Sequence, residues 1–224
     1  MPRALRIQYP GAFHHMYNRG VAKGAIFHDR SDRNAFLSLL GKMLSKSSFR
    51  ALSYCLMDNH FHLFLIQTSD EAGVSLSGFM REFCRQYVRR FNNIHERVGP
   101  LFQGRFQSRL VTDDIYAKVL LRYIHLNPCL AGLTSNPNDY EWSSYSGYAE
   151  SSEHPSWLDL EFGLGLFDTH KDRAITLFKK FHGDEVSEDE LRILRNFRKP
   201  LSSPHLKRYR DKNENTRGFV IPVP

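Results

Sequence analysis

The sequence contains no run of about 18 apolar residues, so it offers no segment able to cross a bilayer as a helix. Its opening residues, Met1-Pro2-Arg3-Ala4-Leu5-Arg6, lack the apolar stretch of a secretory leader, and the expectation is a soluble, cytoplasmic protein with no membrane partner. Cysteine is scarce. Cys55, Cys84 and Cys129 lie far apart in apolar patterns and form no C-x-x-C pair, which argues against a disulfide framework or a thiolate zinc site and for reduced core residues. Acidic side chains are outnumbered, 24 against 31 Lys plus Arg, and the net charge of +7 favours a polyanionic partner. Charge alone does not choose among DNA, RNA and a membrane surface. No internal repeat is found.

What the sequence does have is concentrated in Leu56-Met57-Asp58-Asn59-His60-Phe61-His62-Leu63-Phe64-Leu65-Ile66. The pattern predicts a buried strand entered through a turn at Asp58-Asn59. Side chains alternate along a strand, so His60 and His62 share one face while Phe61, Leu63 and Leu65 point the other way. Two imidazoles about 7 Å apart at their Cα atoms can converge on one divalent cation when a third ligand arrives from a facing element, but cannot close a site alone. A plain pair of half-exposed histidines is the competing reading.

Around this stretch the chain predicts a strand over residues 12–17, a helix beginning at Asp32, capped by Ser31 or Asp32 and ending near Lys46, and a strand over residues 49–56. His14 and His15 face opposite ways, so at most one can approach the His60/His62 face. Leu76, Phe79, Met80, Phe83, Tyr87, Phe91 and Ile94 recur at three- and four-residue steps, an apolar helical stripe running to about His95. Arg81, Arg85 and Arg89 form a second stripe. Like charges at this spacing weaken a helix by a few tenths of a kcal/mol per pair, so either an anion compensates them or they are a solvated basic face. Arg105 and Arg109 flank Phe106 in a loop leading to a further strand, a combination suited to nucleic-acid backbone and bases. Asp113 or Asp114 then caps a helix that should stop before Pro128.

Trp142, Tyr145 and Tyr148 read as packing anchors in a turn-rich segment, and His125, His154 and His182 as structural. Residues 192–217 hold nine basic and two acidic residues. The expected organisation is a domain over residues 1–153 and an accessory helical segment with a basic tail over residues 154–224.

The order β-α-β-β-α-β predicts an α+β, ferredoxin-like antiparallel sheet with helices packed on it. If the stripe around Tyr87 packs across the histidine face, Tyr87 is a nucleophile candidate facing a metal candidate.

Five segments carry a resemblance to a known family: His15-Met-Tyr-Asn-Arg19-Gly20, Leu56-Met-Asp-Asn-His60-Phe-His62-Leu, Tyr87-Val-Arg-Arg-Phe-Asn92, Gly99-Pro-Leu-Phe-Gln-Gly104-Arg105-Phe and Tyr123-Ile-His-Leu-Asn127-Pro128. In that order, over roughly residues 10–148, the chain resembles the single-tyrosine transposases with a His-hydrophobic-His motif, specifically the REP-associated branch. The resemblance implies cleavage and rejoining of single-stranded or hairpin DNA. It makes His60 and His62 ligands of Mg²⁺ or Mn²⁺ and Tyr87 the residue that forms a 5′-phosphotyrosine. Related enzymes complete the metal site with a glutamine one turn after the tyrosine; that position is Phe91 here, and the role passes to Asn92. Arg19 and Arg105 become DNA contacts, joined by Arg81, Arg85, Arg89 and Arg109. Two other readings compete, a non-catalytic single-strand-binding module and a metal-dependent nuclease that uses water. A monomer and a homodimer both stay open.

Overall fold

The computed structural model describes residues 8–69, 73–150 and 153–196. Four strands, β1 (Phe13–Arg19), β2 (Phe49–Met57), β3 (His60–Gln67) and β4 (Gln107–Val111), form one sheet in the order β2-β3-β1-β4, every neighbouring pair antiparallel. β2 and β3 are joined by a hairpin whose loop is Asp58-Asn59. α1 (Arg30–Leu44) connects β1 to β2, and α2 (Leu76–Ile94) connects β3 to β4. Each connection returns to a parallel strand with one strand skipped, so this is the expected ferredoxin-like arrangement.

The handedness of such crossovers puts α1 and α2 on one face. That face is apolar: Met16, Leu56, Phe61, Leu63 and Leu65 from the sheet meet Phe36 and Leu40 of α1 and Phe79, Phe83, Tyr87 and Phe91 of α2 in one core. Asp29 caps α1 by accepting from the Asp32 backbone N–H at 2.9 Å, and the Asp32 carboxylate accepts from the His28 backbone N–H at 2.9 Å. These two caps start the helix slightly earlier than the sequence suggested. The buried stripe of α2 ends at Phe91, since Ile94 is 61% exposed.

The opposite face is covered by α3 (Asp114–Leu130), which packs over β2 and β3. Asp113 caps it, accepting from Tyr116 N–H at 2.8 Å. Contrary to expectation, Pro128 does not end this helix. It sits in the last turn, where its missing N–H costs a single bond. The stop comes at Gly132, which takes φ +71° while Leu133 and Gly132 donate to the carbonyls of Pro128 and Cys129, the Schellman arrangement.

Four shorter helices follow: α4 (Tyr145–Glu150), α5 (Leu160–Gly165), α6 (Lys171–Gly183) and α7 (Glu188–Asn196). The chain divides into a compact unit through Glu185 and a second from Val186. Residues 154–185, read from the sequence as the start of an accessory segment, therefore lie in the same unit as the sheet. Most of the basic stretch 192–217 falls outside the described residues. Behind α3, His125 Nδ1 lies 3.1 Å from His182 Nε2 of α6, and His125 Nε2 lies 2.9 Å from Ser144 Oγ. His182 Nδ1 donates to the Phe178 carbonyl at 2.9 Å. Tyr148 and Tyr145 pack on this group, as expected of anchors. Cys55, Cys84 and Cys129 are free thiols.

Candidate active site

Strand pairing assembles the site before any helix joins it. In β1 and β3, Tyr17 stands opposite His62 and Arg19 opposite His60, and in β1 and β4, His15 stands opposite Arg109. Directly opposed residues share a face, so His15, Tyr17, Arg19, His60, His62 and Arg109 all lie on the side that α3 covers. Of the two adjacent histidines in β1, His15 is the one that arrives, with Nε2 2.9 Å from His62 Nδ1. Burial is the main cause that holds both rings neutral: His15 is lowered to about 3, and His62 well below its usual value, with His15 adding to the effect.

His60 is held in one tautomer. The Asn59 amide nitrogen donates to the Lys23 carbonyl at 3.1 Å, which turns Asn59 Oδ1 toward His60 Nδ1 at 2.7 Å. An amide oxygen only accepts, so Nδ1 carries the proton and Nε2 keeps its lone pair. That lone pair meets another acceptor. Asn127 Oδ1 lies 3.4 Å from His60 Nε2, and the Asn127 amide nitrogen is committed elsewhere, donating to the Tyr123 carbonyl at 3.2 Å. When His62 Nδ1–H donates to His15, His62 likewise presents Nε2. Two imidazole nitrogens and an amide oxygen then form a donor set fit for a divalent cation.

Tyr123 precedes Asn127 by one turn of α3, its ring 5.5 Å from that of His62 and 6.3 Å from that of His15. Tyr17 flanks His62 from the sheet at 5.8 Å.

Tyr87 is not brought to this face. It is fully buried on the other side of the sheet, its hydroxyl donating to the Ile26 carbonyl at 2.6 Å and its ring packed edge-on against Phe36. Burial, with the charge of Asp32 second, drives its phenol far above the usual range. The reason is chemical matching: a stripe of Phe79, Phe83, Tyr87 and Phe91 belongs against Phe61, not against imidazoles. Asn92 is likewise displaced, its amide donating to the Gly99 carbonyl at 2.9 Å at the end of α2. The arginines divide in the same way. Arg19 and Arg109 lie on the histidine face, Arg105 is exposed in the loop before β4, and Arg81, Arg85 and Arg89 are exposed on α2. Arg85 and Arg89 line a shallow groove there with Arg90 and Asn93, and Arg85 is paired with Glu82 at 2.6 Å.

Sequence reasoning named Tyr123 and Asn127 only within a segment that carries the resemblance, and did not place them, or choose His15 over His14, beside the histidine pair. A signal was present. A tyrosine followed one turn later by an amide occurs at Tyr123 and Asn127, whereas Tyr87 is followed by Phe91.

Among the described residues, no helix is long and apolar enough to cross a membrane. Comparison with known proteins gives a consistent result. The chain is 25% identical over 158 residues to a candidate REP-associated tyrosine transposase of Haemophilus influenzae, covering 62% of this chain and 90% of that protein. Its fold matches a solved REP-associated tyrosine transposase bound to a REP hairpin, with a TM-score of 0.55 and 16% identity over 71% of this chain and 93% of the other. The family model for IS200-like transposases matches residues 13–127, just over half the chain. This chain belongs to the IS200-like transposase family.

Proposed function

We propose that this transposase cleaves and rejoins single-stranded DNA, on hairpin-forming repeat sequences, with Tyr123 as nucleophile and His60, His62 and Asn127 as the ligands of Mg²⁺ or Mn²⁺. The observation that carries this reading is the pair of acceptors, His60 Nε2 and Asn127 Oδ1, held 3.4 Å apart by amides whose orientations are fixed elsewhere. Facing acceptors with no proton between them repel each other unless a cation separates them.

A bound Mg²⁺ or Mn²⁺ would withdraw charge from the scissile phosphate and orient it. The chain supplies the rest. Tyr123 Oη forms a bond to phosphorus as the P–O3′ bond breaks; the phenolic proton passes to solvent, and the departing oxygen takes up a proton as a 3′-hydroxyl. Attack by a 3′-hydroxyl on the phosphotyrosine reverses the step, so no nucleotide cofactor is consumed. Arg19 and Arg109 place positive charge where the strand's phosphates would lie.

The test is incubation with a single-stranded hairpin oligonucleotide and Mn²⁺, followed by denaturing electrophoresis and peptide mapping of any protein-linked product. An adduct on Tyr123 is expected. An adduct on Tyr17 keeps the metal assignment and overturns the nucleophile, and a cut with no adduct favours the water-using nuclease. Binding without any cut favours the non-catalytic module.

Replacing His60 and His62 together by alanine is expected to abolish metal-dependent cleavage and leave the circular dichroism spectrum unchanged. Cleavage persisting in that variant removes the metal assignment. DNA binding is expected to weaken steeply with salt, because each phosphate neutralised by arginine releases counterions. The slope of log K against log salt should fall in magnitude by about 0.7 for each of Arg19→Ala and Arg109→Ala, the single-strand value per contact. An unchanged slope would place the DNA elsewhere.

A further inference from the structure

A second group of ligating side chains lies away from the histidine pair and takes no part in the reaction proposed above. His28, in the segment before α1, Asp32, in the first turn of α1, and His95, at the end of α2, each offer one ligand atom, all within 4.8 Å of one another. The His28 and His95 rings stand 4.4 Å apart at their centroids. Two separate parts of the chain, the start of α1 and the end of α2, therefore converge on one point.

Asp32 is the fixed member. Its carboxylate is 1% exposed and is placed by three donors: the His28 backbone N–H at 2.9 Å, His95 Nε2 at 2.8 Å and Arg90 Nη1 at 3.1 Å. These bonds hold it ionised, its pKa lowered against the opposing pull of burial. His95 is mostly buried and His28 is exposed, so the group opens to solvent on one side.

We propose that His28, Asp32 and His95 bind a transition-metal dication of the Zn²⁺, Co²⁺ or Ni²⁺ class, with water in the remaining position. Two imidazoles and one carboxylate suit these ions, whereas Mg²⁺ and Ca²⁺ prefer oxygen-rich shells. Tetrahedral zinc with ordinary bond lengths sets its ligand atoms about 3.3 Å apart, between the 2.8 Å of the His95–Asp32 contact and the 4.8 Å limit of the group. A small closure of the exposed His28 ring completes the geometry. The ion takes the place of the hydrogen bond between His95 Nε2 and the Asp32 carboxylate, with the imidazole proton carried on Nδ1. Arg90 becomes the outer partner that orients the carboxylate. The bound ion ties the segment before α1 to the end of α2.

The test uses the full chain carrying His60→Ala and His62→Ala, so that the other histidine pair cannot report. Titration with Co²⁺ is expected to give one ion per chain, with the intense visible absorption of a tetrahedral centre that Zn²⁺ abolishes by competition. Zn²⁺ is expected to raise Tm. Adding His28→Ala, which alters an exposed side chain, is expected to weaken Co²⁺ binding by at least about 100-fold, since even an outer partner is worth 10–100-fold. The metal-free Tm should stay the same. In the background with the native His60 and His62, His28→Ala should leave hairpin binding intact. No stoichiometric Co²⁺ in the double variant, or affinity indifferent to His28→Ala, overturns the proposal.

Discussion

Tyr123→Phe is expected to abolish both nicking and covalent attachment, a loss of at least about 10³-fold, because removing a nucleophile deletes the covalent route itself. The ring stays, so its packing beside His62 and the DNA affinity should be nearly unchanged. The companion change is Tyr87→Phe. Here the hydroxyl is buried and donates to the Ile26 carbonyl, so its removal strands an acceptor and should cost about 1 kcal/mol of stability with cleavage retained. The two variants exchange phenotypes if the chemistry uses the other helix: a Tyr87→Phe enzyme that binds hairpin DNA and melts normally but no longer cuts would refute the assignment. Quantified adduct on denaturing gels, beside thermal melts of each variant, decides between them.

Acid is expected to unfold this protein well before its carboxylates titrate. His15 and His182 are lowered to about 3, and His62 and His125 well below their ordinary value, in each case chiefly because burial strips water from the charged ring. In the unfolded chain all four titrate near 6.5. Below that pH the unfolded state binds protons the native state refuses, so stability is complete above it and declines as pH falls toward the native values. Each histidine approaches a loss of about 1.4 kcal/mol per pH unit. His15 and His182 together remove roughly 2 kcal/mol between pH 6.5 and 5.5, against the 5–15 kcal/mol that holds a domain, and His62 and His125 act in the same direction. The urea midpoint measured at pH 7.5, 6.5 and 5.5 checks this. A midpoint unchanged at pH 5.5 would mean that these rings are charged or solvated in the native state.

The histidine pair and the sheet were legible because they depend on local periodicity. The alternation of His60 and His62 with Phe61 and Leu63 fixes which residues share a face, and the spacing of the elements defines the order of strands and helices. Which helix covers which face is not local. Tyr87 drew attention because it sits in the most regular apolar stripe of the chain, yet that regularity is what commits α2 to the Phe61 side. α3, buried on several sides, shows no single clean stripe, and Pro128 near its end obscured how far it runs. The partner of His62 was undetermined for a different reason. Choosing His15 over His14 requires the register of β1 on β3, and a slip of one residue exchanges them.

His125 occupies the turn of α3 between Tyr123 and Asn127, about 200° around the axis from the tyrosine, and its bonds to His182 and Ser144 grip the helix from behind. The grip sets the azimuth of α3. A rotation of 20° moves a group at the outer radius of a helix by about 2 Å, and a misplacement of 1 Å can cost on the order of 100-fold in rate. In the reaction proposed above, substitutions at His182 or Phe178 thus act through an angle of helix rotation, with Tyr123 and Asn127 still in the chain.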